Sequence, residues 1–256
     1  MDLELGVMLF YIFLFGLLVG SFLNVCIYRI PQGESIVFPP SHCPSCHHQL
    51  AAKDLVPLFS FLLLGGKCRY CGEKISWQYP LVELGNGLGW VLIMWYYQGL
   101  PSGQSVAGML LFSFALVLSL IDVKHYLIPN CLVVVLLVGG LVYHLWLREI
   151  SIGLILLGMA VGFGFPFVIA VVSGGGMGGG DIKLCAAMGL WLGYPAIIYA
   201  LFIGALLGSL VGIILIICRL KTRKDRIPFG PFLMLGFLAM ILFQQQIMSW
   251  YQAIIS

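Results

Sequence analysis

Long apolar runs, separated by short polar segments, make up most of the chain. A transmembrane helix needs about 20 consecutive apolar residues, and several of the runs reach or approach that length. Only 9% of the residues are charged, whereas soluble domains contain roughly 25%. We therefore expect an all-α polytopic membrane protein. The runs cover 5–28, 81–98, 105–121, 128–147, 150–172, 184–217 and 228–250.

The sixth run, 184–217, is longer than one membrane crossing requires. A Gly-Tyr-Pro sequence at 193–195 lies inside it and predicts a turn. Division at this turn gives helices over 184–193 and approximately 197–218. The first of them is short enough to dip into the membrane rather than cross it cleanly. The sequence thus predicts about eight transmembrane helices.

The basic residues indicate how these helices are oriented. If the N-terminus lies outside the cytoplasm, every Lys and Arg except Arg148 falls in a segment that faces the cytoplasm. Such segments are enriched in Lys and Arg, so we expect this orientation, with both termini outside the cytoplasm. Without the division of the sixth run, the basic cluster at 219–226 would face the wrong side. The predicted cytoplasmic segments are 29–80, 122–127, 173–183 and 219–227.

This orientation divides the chain into three parts. Residues 1–28 are expected to form a permanent first transmembrane helix, because no basic residue precedes Arg29 as one would in a cleavable signal peptide. Residues 29–80 form a cytoplasmic loop domain, and residues 81–256 form the transmembrane core. A loop domain of about 50 residues is too small to be stable without a cross-link or a metal.

Four cysteines in the loop domain have the spacing of a metal site. Cys43 and Cys46 form one C-x-x-C pair, and Cys68 and Cys71 form a second. Two thiolate pairs on tight turns can surround a zinc ion tetrahedrally. Bound zinc would also supply the folding free energy that so small a domain lacks. We therefore predict a structural zinc site made by these four cysteines.

Other interpretations of the cysteines are open at this point. They could form disulfides, although these are rare on the reducing cytoplasmic side of the membrane. One C-x-x-C pair could be a redox motif, but that would leave the second pair unexplained. His42, His47 and His48 surround the first pair and could replace one of its ligands.

Two aspartates lie at helix ends that the orientation places on the cytoplasmic face. Asp122 ends the third helix in SLIDVKHYLIPN, and Asp181 begins the sixth in GGGDIKL. A carboxylate at membrane depth is energetically costly and therefore indicates function. Two carboxyls in one partly buried site hold a single proton between them. One can then activate a water molecule while the other donates a proton to a carbonyl, so the pair predicts aspartic protease chemistry in the 81–256 core.

Six glycines immediately precede Asp181, in the sequence GGGMGGGD at 174–181. Glycine permits close approach of another backbone, so a substrate in extended conformation could pair with this segment. The three candidates for this contact are Gly178, Gly179 and Gly180. In the alternative interpretation the segment is a flexible loop with Asp181 as the N-cap, and Asp122 is an ordinary interfacial helix end.

Glu83 is a further candidate, because it lies about one turn inside the second predicted helix. It could pair with a basic residue or tune the site, or it could serve only in packing. Two rival functions also remain. In an ion-coupled transporter the aspartates would bind a proton or a cation, but they would then be expected near the midplane and often in internal repeats. A membrane-anchored zinc interaction module would leave the aspartates unexplained.

Taken in order along the chain, these motifs resemble the bacterial type IV prepilin peptidases, also called leader peptidase/N-methyltransferases. The resemblance extends over nearly the whole chain. Its parts are GSFLNVCIYRIP (20–31), the two C-x-x-C pairs, YPLVEL (79–84), IDVKHYLIPN (121–130), GGGDIKL (178–184) and IPFGPFL (227–233).

The resemblance implies a membrane aspartyl endopeptidase of the GxGD class, with Asp122 and Asp181 as its catalytic pair. Such an enzyme removes the basic leader peptide of type IV prepilins or pseudopilins, cutting after a glycine at the cytoplasmic face of the bacterial inner membrane. Members with the cysteine-containing loop often also methylate the new N-terminus with S-adenosylmethionine. Prepilins or pseudopilins and the lipid bilayer are then the expected partners, and nucleic acid is not.

The chain departs from the family pattern at Asn130, where an acidic residue is common after the Ile-Pro pair. Asparagine still caps a helix, so the departure has little consequence. No G-x-G-x-x-G loop follows a predicted strand. The sequence therefore assigns no residues to an S-adenosylmethionine site.

Overall fold

The computed structural model describes residues 3–147, 150–222 and 225–255, and within those ranges it contains helices and no strand. Arg148, Arg223 and Lys224, on which part of the charge argument rests, lie outside the described residues. The helices are α1 (Leu3–Arg29), α2 (Phe59–Leu63), α3 (Gln78–Tyr96), α4 (Gly103–His125), α5 (Asn130–Leu147), α6 (Ile152–Val172), α7 (Gly179–Leu192), α8 (Ala196–Ile217) and α9 (Gly230–Ile255). Single turns of 3-10 helix occur at Ile30–Gln32 and Ala52–Asp54.

The all-helical, membrane-like character of the chain is confirmed, but the count of eight transmembrane helices is not. Among the described residues, six helices are long and apolar enough to cross a bilayer: α1, α4, α5, α6, α8 and α9. Helix α7 has 14 residues, which corresponds to about 21 Å, less than the hydrocarbon thickness of about 30 Å. Helix α3 carries Glu83 and Asn86 and falls short in apolarity. The predicted break near 193–195 is present, because α7 ends at Leu192 and α8 begins at Ala196.

The chain divides into two compact units, an N-terminal unit (1–117) and a C-terminal unit (118–256). In the N-terminal unit, α1 packs directly on α3 because glycines allow their backbones to meet. A Cβ atom added at Gly16 would lie 2.8 Å from Cα of Gly87, and one added at Gly20 would lie 2.7 Å from Cα of Glu83. Small residues at such contacts are typical of membrane helix pairs.

A buried polar network reinforces this unit. The Asn86 side-chain amide donates to the carbonyl oxygen of Gly16 at 2.8 Å, and the Ser113 hydroxyl donates to Asn86 Oδ1 at 2.7 Å. Trp90 Nε1 donates to Ser113 Oγ at 3.0 Å. The network joins α1, α3 and α4 and satisfies polar groups that lipid could not.

In the C-terminal unit, α7 is the central helix and contacts α5, α6, α8 and α9. Its buried residues include Leu184, Cys185, Ala187 and Met188. Trp191 Nε1 donates to the carbonyl oxygen of Leu136 on α5 at 2.7 Å. Protein thus surrounds this short helix on several sides. Its first turn carries Asp181.

Candidate active site

Asp122 lies in the last turn of α4 and is buried. Its Oδ2 accepts a hydrogen bond from the backbone N–H of Gly230, the first residue of α9, at 2.8 Å. The first N–H groups of a helix have no partner within the helix, so the carboxylate satisfies one of them. A Cβ atom at Gly230 would lie 2.8 Å from Oδ2. Only glycine at this position lets the α9 backbone approach the carboxylate so closely.

Asp181 is the third residue of α7, and the N-cap position belongs to Gly178, whose φ and ψ are −72° and 145°. The interpretation of Asp181 as the N-cap is therefore wrong. Its carboxylate turns back and accepts a hydrogen bond from the backbone N–H of Gly178. An acidic side chain at this position commonly caps the first turn in this way. A Cβ atom at Gly178 would lie 3.1 Å from Asp181 Oδ2, so the contact is tight.

The structure brings the two aspartates together. The Asp122 carboxylate lies near enough to Asp181 for its charge to influence that residue, and both residues belong to the C-terminal unit. The segment that links α4 to α5 runs along the first turn of α7, because a Cβ atom at Gly180 would lie 3.0 Å from Cβ of Ile128. Lys183 Nζ also donates to Asn130 Oδ1 at 3.1 Å.

The glycine-rich segment has internal roles as well as an open side. Gly174 and Gly175 end α6 with φ values of 63° and 97°, which side-chain-bearing residues rarely adopt. Gly178 and Gly180 make the close contacts just described. Gly179 has open space where a side chain would stand and is exposed. Of the three glycines predicted to receive a substrate, Gly179 is thus the one that no internal contact requires.

The four cysteines of the loop form one cluster, in which the Sγ atoms all lie within 4.8 Å of one another. Cys43 Sγ and Cys71 Sγ are 3.9 Å apart. In a tetrahedral zinc site with Zn–S bonds of about 2.3 Å, the sulfur atoms are about 3.8 Å apart. The cluster therefore fits a zinc ion.

Two similar turns present these cysteines. The N–H of His47 donates to the carbonyl of Cys43 at 2.9 Å, and the N–H of Gly72 donates to the carbonyl of Cys68 at the same distance. Burial opposes ionisation of Cys43, but hydrogen bonds from the backbone of Cys46 and Ser45, together with those from neighbouring thiols, outweigh it and lower the pKa of the Cys43 thiol to about 7. A backbone hydrogen bond from Glu73 lowers the pKa of Cys71, but burial and the hydrogen bonds among the four thiols outweigh it and raise that pKa to about 12, so the cluster favours one thiolate before the others. Backbone donors aimed at a sulfur stabilise the thiolate that a metal requires.

A histidine ligand has no support in the described part of the loop, where the group of metal-ligating side chains consists of the four cysteines. His42 Nδ1 lies 3.1 Å from the carbonyl oxygen of Pro40. The His48 ring lies 3.7 Å, between centroids, from that of Tyr70. His42 and His48 therefore contact other groups of the loop.

Comparison with known proteins places the chain in a family. The model of the bacterial peptidase A24 N-terminal domain matches residues 14–97, and that of the type IV leader peptidase family matches residues 109–213. A prepilin leader peptidase/N-methyltransferase of Aeromonas hydrophila is 35% identical, over 94% of this chain and 92% of its own. The chain belongs to the type IV leader peptidase family. The family predicted from the sequence motifs is therefore confirmed.

Two further relatives with the same name support this membership. The protein of Bacillus subtilis (strain 168) is 34% identical over 95% of this chain and 98% of its own. That of Pseudomonas aeruginosa is 34% identical over 93% of this chain and 91% of its own. No solved structure matches the chain.

Glu83 lies in the N-terminal unit and has a hydrogen-bond partner there. Its buried Oε2 accepts a hydrogen bond from the backbone N–H of Leu58 at 2.9 Å. Leu58 has φ 59° and ψ −51°, an unusual conformation for a residue with a side chain. Glu83 thus holds a strained turn of the loop against the start of α3, which favours its interpretation as a packing residue.

Sequence reasoning missed His144, which lies on α5 and is buried. Its Nε2 lies 3.0 Å from the carbonyl oxygen of Leu190 and 3.1 Å from that of Trp191. Both partners are acceptors, so Nε2 is the donor. These carbonyls end α7, the helix that begins with the Asp181 turn. The signal was present in the sequence, because the apolar run 128–147 contains His144 and no Asp, Glu, Lys or Arg.

Proposed function

We propose that this chain is a membrane aspartyl endopeptidase that removes the basic leader peptide of type IV prepilins or pseudopilins, cutting after a glycine. Asp122 and Asp181 are its catalytic pair. The observation that carries this proposal is the approach of two carboxyls in one site, each at the N-terminal turn of a helix, α9 for Asp122 and α7 for Asp181. Family membership adds the substrate class, since the curated relatives are named for prepilin leaders.

The chemistry follows from a pair that holds one proton. The ionised carboxylate takes a proton from water, whose oxygen attacks the carbonyl carbon of the scissile peptide. The protonated carboxyl donates its proton to the carbonyl oxygen. The tetrahedral diol then collapses as a proton passes to the leaving nitrogen and the C–N bond breaks. The products are the leader, with a new carboxyl group, and the mature pilin, with a free amine.

The chain's own residues orient this reaction. The Gly230 N–H holds Asp122, and the Gly178 N–H holds Asp181. The open side of Gly179 gives an extended substrate access to the pair. Enzymes gain much of their rate from such positioning.

We propose methylation of the new amine as the second activity, in keeping with the names of the relatives. S-adenosylmethionine supplies the methyl group when it is bound. No G-x-G-x-x-G loop follows a strand in the described residues, so we assign no residue of this chain to the methyl donor.

We propose that Cys43, Cys46, Cys68 and Cys71 hold a structural zinc ion, which supplies folding free energy to the loop. We further propose that α3 and α7 lie in the membrane with the six longer helices. This gives eight embedded segments in the bacterial inner membrane, with the loop and the aspartates at the cytoplasmic face. The excess of Lys and Arg in the predicted cytoplasmic segments supports that orientation.

The test is mass spectrometry of a prepilin incubated with the purified protein and S-adenosylmethionine in lipid nanodiscs. Wild type is compared with Asp122→Asn and Asp181→Asn, and with Asp225→Asn as a control, because Asp225 is exposed and bonded to Thr222. We expect wild type and the control to remove the leader and add one methyl group, and the first two variants to leave the prepilin intact. Cleavage by either of those two would overturn the catalytic pair. Failure of wild type on every prepilin tried would favour the transporter interpretation.

A further inference from the structure

The loop domain contains an uncharged apolar segment, Leu55–Gly66, with the sequence LVPLFSFLLLGG. It includes the single-turn helix α2. The charged residues Lys53 and Asp54 precede it, and Lys67 follows it. Eight of its twelve residues are Leu, Val or Phe, and it lies in the same loop as the cysteine cluster.

Five of the eight Leu, Val and Phe side chains of this segment are exposed. Phe61 is buried and its ring lies 5.0 Å from that of Trp77. By contrast, Phe59, Leu62 and Leu63 are 56%, 69% and 86% exposed. Clustered apolar side chains on a surface mark a site of interaction with protein or lipid.

The contacts of this segment bring it close to the apolar helix α1. Leu58 bonds to Glu83, and the backbone of Glu83 packs on Gly20 of α1. Gly20 precedes the end of α1 at Arg29 by nine residues, which is about 14 Å along a helix. Phe22, on the same part of α1, is exposed and apolar. Helix α1 is long and apolar enough to cross a bilayer, so the start of α2 lies beside its membrane portion.

The flanking residues have the character of a membrane interface. Trp77, which contacts Phe61, is exposed, and tryptophan is enriched where acyl chains meet headgroups. Lys53 and Lys67 are exposed at the two ends of the apolar segment. Lysine side chains at such positions reach phosphate headgroups while their stems stay in apolar surroundings.

We infer that Leu55–Gly66 inserts into the same bilayer that α1 crosses and anchors the cysteine cluster at its surface. Phe59, Leu62 and Leu63 contact acyl chains, and Lys53 and Lys67 contact anionic headgroups. The occupant of this apolar surface is phospholipid, because the surface lies at the depth where α1 itself presents Phe22 outward. The inference does not depend on the proposed proteolysis.

The test places the photo-crosslinking residue p-benzoylphenylalanine at position 63 of the full chain. The protein is reconstituted in nanodiscs of phosphatidylethanolamine and phosphatidylglycerol, irradiated and examined by mass spectrometry. Gln49, which is exposed in the same loop, is the matched control position. We expect the mass of one phospholipid on the position-63 protein and none on the position-49 protein. Equal adducts at both positions, or none at position 63, would overturn the inference.

A second experiment distinguishes lipid from protein occupants. Irradiation is repeated with a prepilin present and with two chains per disc. Adducts to prepilin or to a second chain, in place of lipid, would overturn the inference. In the double variant Leu62→Glu and Leu63→Glu, with p-benzoylphenylalanine at position 59, we expect the yield of lipid adduct to fall at least tenfold. The matched Leu62→Ile and Leu63→Met variant is expected to keep it.

Discussion

At the scale of single residues, the candidate site depends on two glycines, where an added Cβ atom would displace a carboxylate. Gly230 and Gly178 each face an aspartate oxygen at a distance that leaves no room for a Cβ atom to enter freely. The rotation and depth of each carboxyl are therefore set by backbone.

We predict that Gly230→Ala reduces kcat for prepilin cleavage by about 100-fold with a small change in KM. The new methyl group would lie 2.8 Å from Asp122 Oδ2, and a displacement of about 1 Å in a reacting group has an effect of that size. Initial rates over a range of prepilin concentrations provide the measurement. Gly164→Ala is the control, because a Cβ atom at Gly164 meets nothing within 4 Å. Equal rates for the two variants would contradict the prediction.

The residue types of the site were predictable from sequence, whereas their contacts were not. Asp122 and Asp181 are prominent because carboxylates are rare among apolar runs. The contact of Asp122 with Gly230 joins residues that are 108 positions apart, and no local pattern signals it. The role of Gly178 as the N-cap was likewise hidden, since every residue of that stretch but Met177 is glycine.

At the scale of helices, α7 is unusual because it ends before it could cross a bilayer. Its last carbonyl groups lack intrahelical partners, and lipid offers no donors for them. His144 Nε2 bonds to two of these carbonyls, and the N–H of Gly193 bonds to the carbonyl of Gly189 at 2.9 Å. His144 thus fixes the depth of α7, whose opposite end carries Asp181.

We predict that His144→Leu lowers the free energy of unfolding by about 2 kcal/mol, because it leaves buried carbonyls without a donor. It should also lower kcat, since α7 is then free to shift along its axis. His144→Gln keeps an N–H donor and should retain most of the stability and rate. Thermal unfolding in detergent, together with cleavage rates, tests both statements. A Leu variant as stable and active as the Gln variant would contradict them.

The sequence predicted helix breaks more reliably than it predicted membrane crossings. The Gly-Tyr-Pro turn correctly separates α7 from α8. Helix α3 falls below the apolarity of a crossing helix because it carries polar residues, yet Asn86 is bonded to Gly16 and Ser113 within the N-terminal unit. Apolarity alone does not show whether a polar group has a partner, so the predicted crossing at 81–98 is not confirmed by the length and apolarity of α3.

At the scale of the whole molecule, the two chemistries of the chain lie in different units. The four cysteines belong to the N-terminal unit, and both aspartates belong to the C-terminal unit. Each unit has its own closely packed helices, with α1 on α3 in the first and α7 among its neighbours in the second. If the cysteine cluster holds the proposed zinc ion, loss of that ion should therefore affect the loop without dismantling the aspartate pair.

We predict that Cys46→Ser removes bound zinc while prepilin cleavage persists and methylation of the product is lost. Serine is a poor zinc ligand, and the proposed zinc ion would supply folding free energy to the loop. In the type IV prepilin peptidases that the sequence resembles, the cysteine-containing loop accompanies methylation. The aspartates lie in the other unit of this chain. Metal analysis of the purified protein and mass spectrometry of the processed pilin measure the two effects separately.

Cys131→Ser, at an exposed cysteine of α5 outside the cluster, should keep zinc and both activities. If Cys46→Ser abolishes cleavage, the loop is needed for proteolysis itself, and the two units cannot be treated as functionally separate.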